Sequence, residues 1–434
     1  MSDFAAHQGS AAVADQPYPT VAPPPGNPRF ALFDALRGIA VLCIIAYHVT
    51  SLTGLFNRPV IGDLFAVLGN QALIFFFVIS GFLLYRPYVN AHRRGRPVPS
   101  ARRYARRRFL RIVPAYWVAL TILAIYPGIS GVFSGDWWRY YFFLQGYSNR
   151  TLLHGIPPAW SLTVEVSFYL LLPLWALLVR RLSGLLGRGS WLRAELTLLA
   201  FPALLGLSIQ VAASRLLISS LLATTLLGEC VWLALGMALA VASVRGEERP
   251  HPGAVRRLVI DHPAVCWLGA IACLIGATAV LHPGGLFNII ISLHEVQPLA
   301  RTLGGIVLTA GMATFLVAPA VFGENAGGVP RRILAWSPLK LLGLISYGVY
   351  LYHLTIAELL AEHAAPGQFT ATGLNLDAHV THLTSLVLFV ATLAVTAAAA
   401  ALSYRFIELP LNRRKEPRGR RTAPPPAEVT GSTG

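Results

Sequence analysis

The sequence predicts an all-α polytopic membrane protein, a bundle of about ten transmembrane helices with both termini in the cytoplasm. Three observations predict it. The 434 residues are 55% hydrophobic and only 12% charged, with a mean hydropathy of +0.58, a balance that water-soluble globular domains do not have. Apolar runs long enough to cross a bilayer, or nearly so, recur along the chain. The basic residues segregate between alternate connections, as they do in membrane proteins whose inner loops are positive.

The runs lie near 31–52, 66–85, 112–128, 159–179, 195–213, 217–243, 264–281, 301–322, 338–360 and 383–404. With the N-terminus inside, the outer basic residues are Arg58, Arg139, Arg150, Arg215 and Arg301, and the other 30 of the 35 fall on the inner side. That asymmetry accounts for the net charge of +16 without a nucleic-acid partner. Residues 1–28 are Pro-rich and lack the basic and apolar regions of a signal peptide, so a disordered cytoplasmic arm is expected there. Residues 29–412 form the transmembrane domain. Residues 413–434, basic and then Pro-rich, read as a disordered cytoplasmic tail, and no sizeable soluble domain is expected. Cys43, Cys230, Cys266 and Cys273 lie in apolar runs with no CxxC spacing, which argues against a disulfide framework and a zinc site. No metal site is expected.

The first run, FDALRGIAVLCIIAYH, carries the candidate chemistry. Asp34 and Arg37 open it and His48 lies inside it. Arg37 and His48 are eleven residues apart, which on a helix is about 16 Å along the axis and almost the same face. An ionisable residue inside lipid marks a functional site by default; the plain alternative is a snorkelling Arg37 and an interhelical contact for His48. In the second run, Ser80-Gly81 allows close backbone approach or a kink lining a cavity.

Ten arginines then fall between Arg86 and Arg111. Most read as inner-loop charge and contact with anionic lipid. The stretch RRFLRIVPAYW is denser than topology requires. Arg107, Arg108 and Arg111 could grip a phosphate-bearing cytoplasmic ligand, because guanidinium forks suit phosphate. The outer stretch GDWWRYYFFLQGYSN reads as an interfacial aromatic belt, with sugar stacking as the alternative.

The fourth run opens AWSLTVEVSFYLLLP. Ser161, Glu165 and Tyr169 share one helical face, beside Trp160. Glu165 lies at a depth similar to His48, so the two could form a base–orienter pair, against a structural ion pair of Glu165 with an arginine. In the ninth run Ser346, Tyr350 and His353 make a polar stripe that faces a cavity or a neighbouring helix, with structural hydrogen bonding the favoured reading. Glu408, near Arg405, Arg413 and Arg414, reads as an interfacial charge cluster at the end of the last span. Glu229 has no assigned role.

Taken together these motifs resemble the acyltransferase-3 family of membrane acyltransferases. The resemblance rests on D-A-L-R-G-I-A with its arginine-to-histidine spacing (Asp34, Arg37, His48), F-F-V-I-S-G-F-L-L (Ser80, Gly81) and R-R-F-L-R-I-V-P-A-Y-W (Arg107, Arg108, Arg111, Pro114). It continues in W-S-L-T-V-E (Trp160, Ser161, Glu165), S-Y-G-V-Y-L-Y-H (Ser346, Tyr347, Tyr350, His353) and Y-R-F-I-E-L-P (Tyr404, Glu408, Pro410). It departs at Val166, where the family often has a second acid, and at Ala35, where Gly is common.

The resemblance implies an integral O-acyltransferase of the cell membrane, using acyl-CoA, commonly acetyl-CoA, with no permanently bound cofactor. The acceptor would be a hydroxyl of a carbohydrate, glycolipid or glycosylated natural product. Arg107, Arg108 and Arg111 would meet the donor's phosphates. Arg37 would hold the donor where it descends, with Ser80 beside it. His48 would act as base or acyl carrier, and Glu165 would orient it or assist proton transfer. Asp34, Trp160, Ser161, Tyr169, Ser346, Tyr350 and His353 would support the site. The competing reading is a transporter of a glycan, lipid or drug-like molecule, whose path the same charges would line. The absence of an internal repeat weighs against it.

Overall fold

The computed structural model describes residues 32–55, 58, 60–187, 190–247, 253–281, 296–322, 327–364 and 381–413. The expected N-terminal arm and the tail from residue 414 lie outside them. Among the described residues there is no strand. Among the same residues nine helical segments are long and apolar enough to cross a membrane, or ten if a bent pair is counted as one span.

In chain order the helices are α1 (Leu32–Leu52), α2 (Ile61–Arg93), α3 (Ala101–Ile125), the short α4 (Trp137–Tyr141), α5 (Trp160–Leu185), α6 (Trp191–Ser214) and α7 (Leu226–Gly246). Then come α8 (Ala254–Asp261), α9 (Pro263–Leu281), α10 (Leu299–Val321), α11 (Val329–Ala335), α12 (Ser337–Leu344), α13 (Ser346–Ala364) and α14 (His382–Ser403). A π turn, Tyr404–Glu408, carries α14 on to Leu409–Arg413.

Three expectations need correcting. The arginine-rich stretch from 86 to 111 is mostly helix: α2 runs to Arg93 and α3 begins at Ala101. Arginine is a good helix former, and the end of α2 is stabilised by charge. Arg86, almost fully buried, donates to Ser243 at 3.1 Å and pairs with Glu247, which Arg93 also meets at 3.5 Å. The ninth run is broken, with α12 and α13 meeting at 77°. Glu408 is buried while Arg405 is exposed, so the expected clustering of these two at a surface is not formed; the Arg413 and Arg414 side chains lie outside the described residues.

Small residues set the frame at the centre. A methyl group on Gly81 would lie 2.3 Å from the Leu233 carbonyl oxygen, and one on Gly236 would lie 2.1 Å from that of Val78. The α2 and α7 backbones are therefore in contact, as Gly permits. The same happens where α12 crosses α1: Gly343 faces the Asp34 carbonyl and Gly38 that of Leu339. Phe33 stacks on Phe82 with centroids 5.0 Å apart, which binds α1 to α2. At a bundle edge, Arg331 is buried and donates all five of its N–H groups to the carbonyls of Pro319, Ile260, Gly327, Val259 and Phe322. It thereby holds the ends of α8 and α10 together.

Candidate active site

The α1–α2–α3–α5–α13 junction holds a cavity of about 170 Å³ that is open at its mouth. Its polar lining is Arg37 from α1, Ser80 from α2, Arg108 and Arg111 from α3, Ser161, Glu165 and Tyr169 from α5, and Ser346, Tyr347 and Tyr350 from α13. Leu73, Phe76, Phe77, Leu83, Leu84 and Leu162 supply apolar wall. Helical spacing explains the convergence. Residues three or four apart share a face, so each helix presents its polar positions in one direction.

Glu165 is held at both oxygens. The Ser80 hydroxyl donates to Oε1 at 2.9 Å and the Tyr169 hydroxyl to Oε2 at 2.6 Å. Arg37 donates to Asp34 at 3.3 Å within its own helix. The Arg108 guanidinium lies 5.9 Å from the ring centroids of both Tyr104 and Tyr169, in cation–π range of each. The Tyr350 hydroxyl donates to the carbonyl of Pro158. Its one proton is thereby used, so Ser161, 2.7 Å away, must donate to it.

Most sequence candidates meet here and some do not. Arg107 is half-buried but does not line the cavity. On α3 it is turned about 100° from Arg108. Trp160 packs against the core and Asp34 accepts from Arg37 without lining the cavity.

His48 and His353 also lie outside the lining. The His353 ring is 6.0 Å from that of Tyr350, and the His48 ring is 5.0 Å from that of His353. His48 is therefore two ring contacts from the cavity wall. The expected base–orienter pair is not formed. No hydrogen bond or ion pair joins His48 to Glu165, whose oxygens are taken by Ser80 and Tyr169. The imidazole beside His48 is that of His353. Glu165 also makes no ion pair with an arginine, although three line the same space.

Sequence reasoning missed Tyr104, which flanks Arg108. Its signal is the i, i+4 spacing to Arg108 within an otherwise charged turn. It also passed over Glu195, which takes a hydrogen bond from Tyr85 at 2.5 Å and contacts His92 Nδ1 at 2.7 Å. Among the described residues no group of three His, Cys, Asp or Glu could hold a metal ion.

The arrangement can do two things. Clustered guanidinium groups at one part of the cavity attract an anion. A carboxylate with two of its roughly four acceptor sites filled can still accept an N–H or O–H from a guest.

The acyltransferase domain model matches residues 30–405. The peptidoglycan O-acetyltransferase OatA of Listeria monocytogenes is 24% identical over 411 residues, covering 88% of this chain and 55% of its own. The O-acetyltransferase OatA of Staphylococcus aureus is 23% identical over 423 residues, covering 89% and 58%. The acyltransferase MdmB of Streptomyces mycarofaciens is 29% identical over 170 residues, 37% of this chain and 42% of that protein. The chain spans a little over half the length of the OatA relatives. No solved structure matches it. With its motifs gathered on one multi-helix cavity and the family's domain running through nearly all of its helices, this chain belongs to the acyltransferase-3 family.

Proposed function

We propose that this protein is a multi-pass O-acyltransferase of the cell membrane, with both termini in the cytoplasm. It takes an acyl group from acyl-CoA and places it on a hydroxyl of a carbohydrate, glycolipid or glycosylated natural product. Acetyl is the group named in the OatA relatives. The observation that carries this reading is the joining of Arg37, Arg108 and Arg111 with Glu165 in a single cavity.

In this reading the donor's phosphates meet Arg108 and Arg111 by charge-assisted hydrogen bonds. The pantetheine arm runs along the apolar wall of Leu83, Leu84 and Phe77, past Arg37. Glu165, steadied by Ser80 and Tyr169, accepts an N–H from the arm. The thioester comes to rest toward Tyr350, the lining residue from which ring contacts lead to His48. His48 takes the proton of the acceptor hydroxyl, whose oxygen attacks the thioester carbonyl. The C–S bond breaks and the thiolate leaves with CoA, receiving the proton in turn. The acyl group passes either directly or through an acyl-histidine. Labelled donor supplied without acceptor separates the two: label on the protein marks the relay and none marks direct transfer.

The test of the whole is His48→Ala in membranes given labelled acetyl-CoA. We expect acyl transfer to disappear while the protein still reaches the membrane. Normal turnover in that variant would remove His48 from the chemistry. An acceptor that crosses the membrane without gaining mass would make the protein a transporter.

A further inference from the structure

We propose that His353 is the positioning residue for His48, its Nε2 accepting the N–H of the His48 imidazole. This inference rests on the acyltransferase reading above and names the group that sets the state of its base.

The tautomer of His353 is fixed by its own helix. Its Nδ1 lies 2.9 Å from the carbonyl oxygen of Tyr350 and 3.2 Å from that of Val349. Carbonyl oxygens only accept, so Nδ1 carries the proton and Nε2 is a bare acceptor. That acceptor is buried and has no partner, and the whole side chain is 0% exposed. An unsatisfied buried acceptor is costly to keep. It is kept here beside one other imidazole, His48, whose ring is 5.0 Å away and tilted by 51°. Rings at that separation reach a nitrogen–nitrogen hydrogen bond by a small rotation.

The other side chains nearby are already engaged. The Tyr350 hydroxyl is used by Pro158 and Ser161, and Glu165 is held by Ser80 and Tyr169.

The consequence for the reaction is specific. With one N–H of His48 given to His353, its other nitrogen must be the bare one, free to take the proton of the acceptor hydroxyl. The His48 imidazolium that forms keeps the same hydrogen bond and passes the new proton on to the departing thiolate. His353 neither gains nor loses a proton in the cycle. It fixes which nitrogen of His48 reacts.

The test compares His353→Gln with His353→Phe in the full-length protein. Gln can present an amide oxygen near the Nε2 position, whereas Phe fills the same space without an acceptor. The readout is transfer of label from labelled acetyl-CoA in membranes, with kcat and donor KM determined separately. We expect His353→Phe to lower kcat by about 100-fold with an unchanged donor KM, and His353→Gln to stay within about 10-fold of the wild type. Equal values for the two variants, whether both active or both dead, would overturn the inference, because they would mark a packing role or none.

A second readout does not depend on turnover. In histidine-labelled protein, the ¹⁵N signal of His48, assigned by its loss in His48→Gln, should report a single neutral tautomer that becomes mixed in His353→Phe. An unaltered signal overturns the inference. Wild-type membranes that transfer no label would instead overturn the acyltransferase reading, leaving the tautomer measurement to judge this one.

Discussion

Two carboxylates in this protein are built alike and live in opposite surroundings. Glu165 takes a serine hydroxyl on one oxygen and a tyrosine hydroxyl on the other. Glu195 takes the Tyr85 hydroxyl on one and meets Nδ1 of His92 on the other. Glu195 is 0% exposed, and the second nitrogen of His92 reaches the Ala176 carbonyl at 3.0 Å, so that network closes on itself and ties α2, α5 and α6 together. Glu165 is half-buried and borders a cavity with three arginines. Matched hydrogen bonds therefore do not tell a site from a scaffold. Open space beside clustered cations does.

The comparison can be broken at either end. The largest effect is expected from Glu195→Ala, which strands Tyr85 and His92 without their shared acceptor. Breaking a buried charged network costs about 3–5 kcal/mol, so thermal unfolding in detergent should drop steeply or the folded protein should be lost. Glu165→Gln should do the reverse. Unfolding should move by no more than about 1 kcal/mol, while acyl transfer falls about 100-fold. Equal stability losses at the two sites would erase the distinction.

Arg108→Lys keeps the charge but gives up the planar group that lies between Tyr104 and Tyr169. Donor KM should rise about 10-fold, because lysine does not replace a stacked guanidinium. Tyr169→Phe removes one hydroxyl from Glu165 and leaves the ring beneath Arg108. A hydrogen bond to a carboxylate is worth about 1.5 kcal/mol or more, so kcat should fall about 10-fold and donor KM should hold. Arg107→Ala, outside the cavity, should leave donor KM within about 2-fold of the wild type, since a group at the partly exposed surface contributes little. A loss as large as that of Arg108→Lys would move the donor site out to the surface.

Much of the fold was legible because apolar runs and helical faces are local properties. The stripes Ser161–Glu165–Tyr169 and Ser346–Tyr350 emerge on the cavity as their spacing requires. What could not be read is what depends on neighbours. The run of arginines ends a hydropathy signal without ending a helix, so α2 and α3 reach beyond their apolar parts. The bend between α12 and α13 hides in an unbroken apolar stretch, and the backbone that Gly343 meets just before it, at Asp34, lies on another helix. Depth alone paired His48 with Glu165. The partner chosen by the packing of α1 against α13 is His353, three hundred residues further on in a different motif. The Ser80–Glu165 bond spans 85 residues and has no local signature.

The glycine crossings carry a consequence for descent with modification. A methyl group is the smallest change a substitution can make, and at Gly38, Gly81, Gly236 and Gly343 there is no room for one. Drift is barred at the four points where the helices bearing Arg37 and Ser80 cross α12 and α7. Helices α6 and α9, each with only 17% of its membrane stretch enclosed, are open to it. Change would therefore accumulate on the outer coat of such a protein while its axle stayed the same.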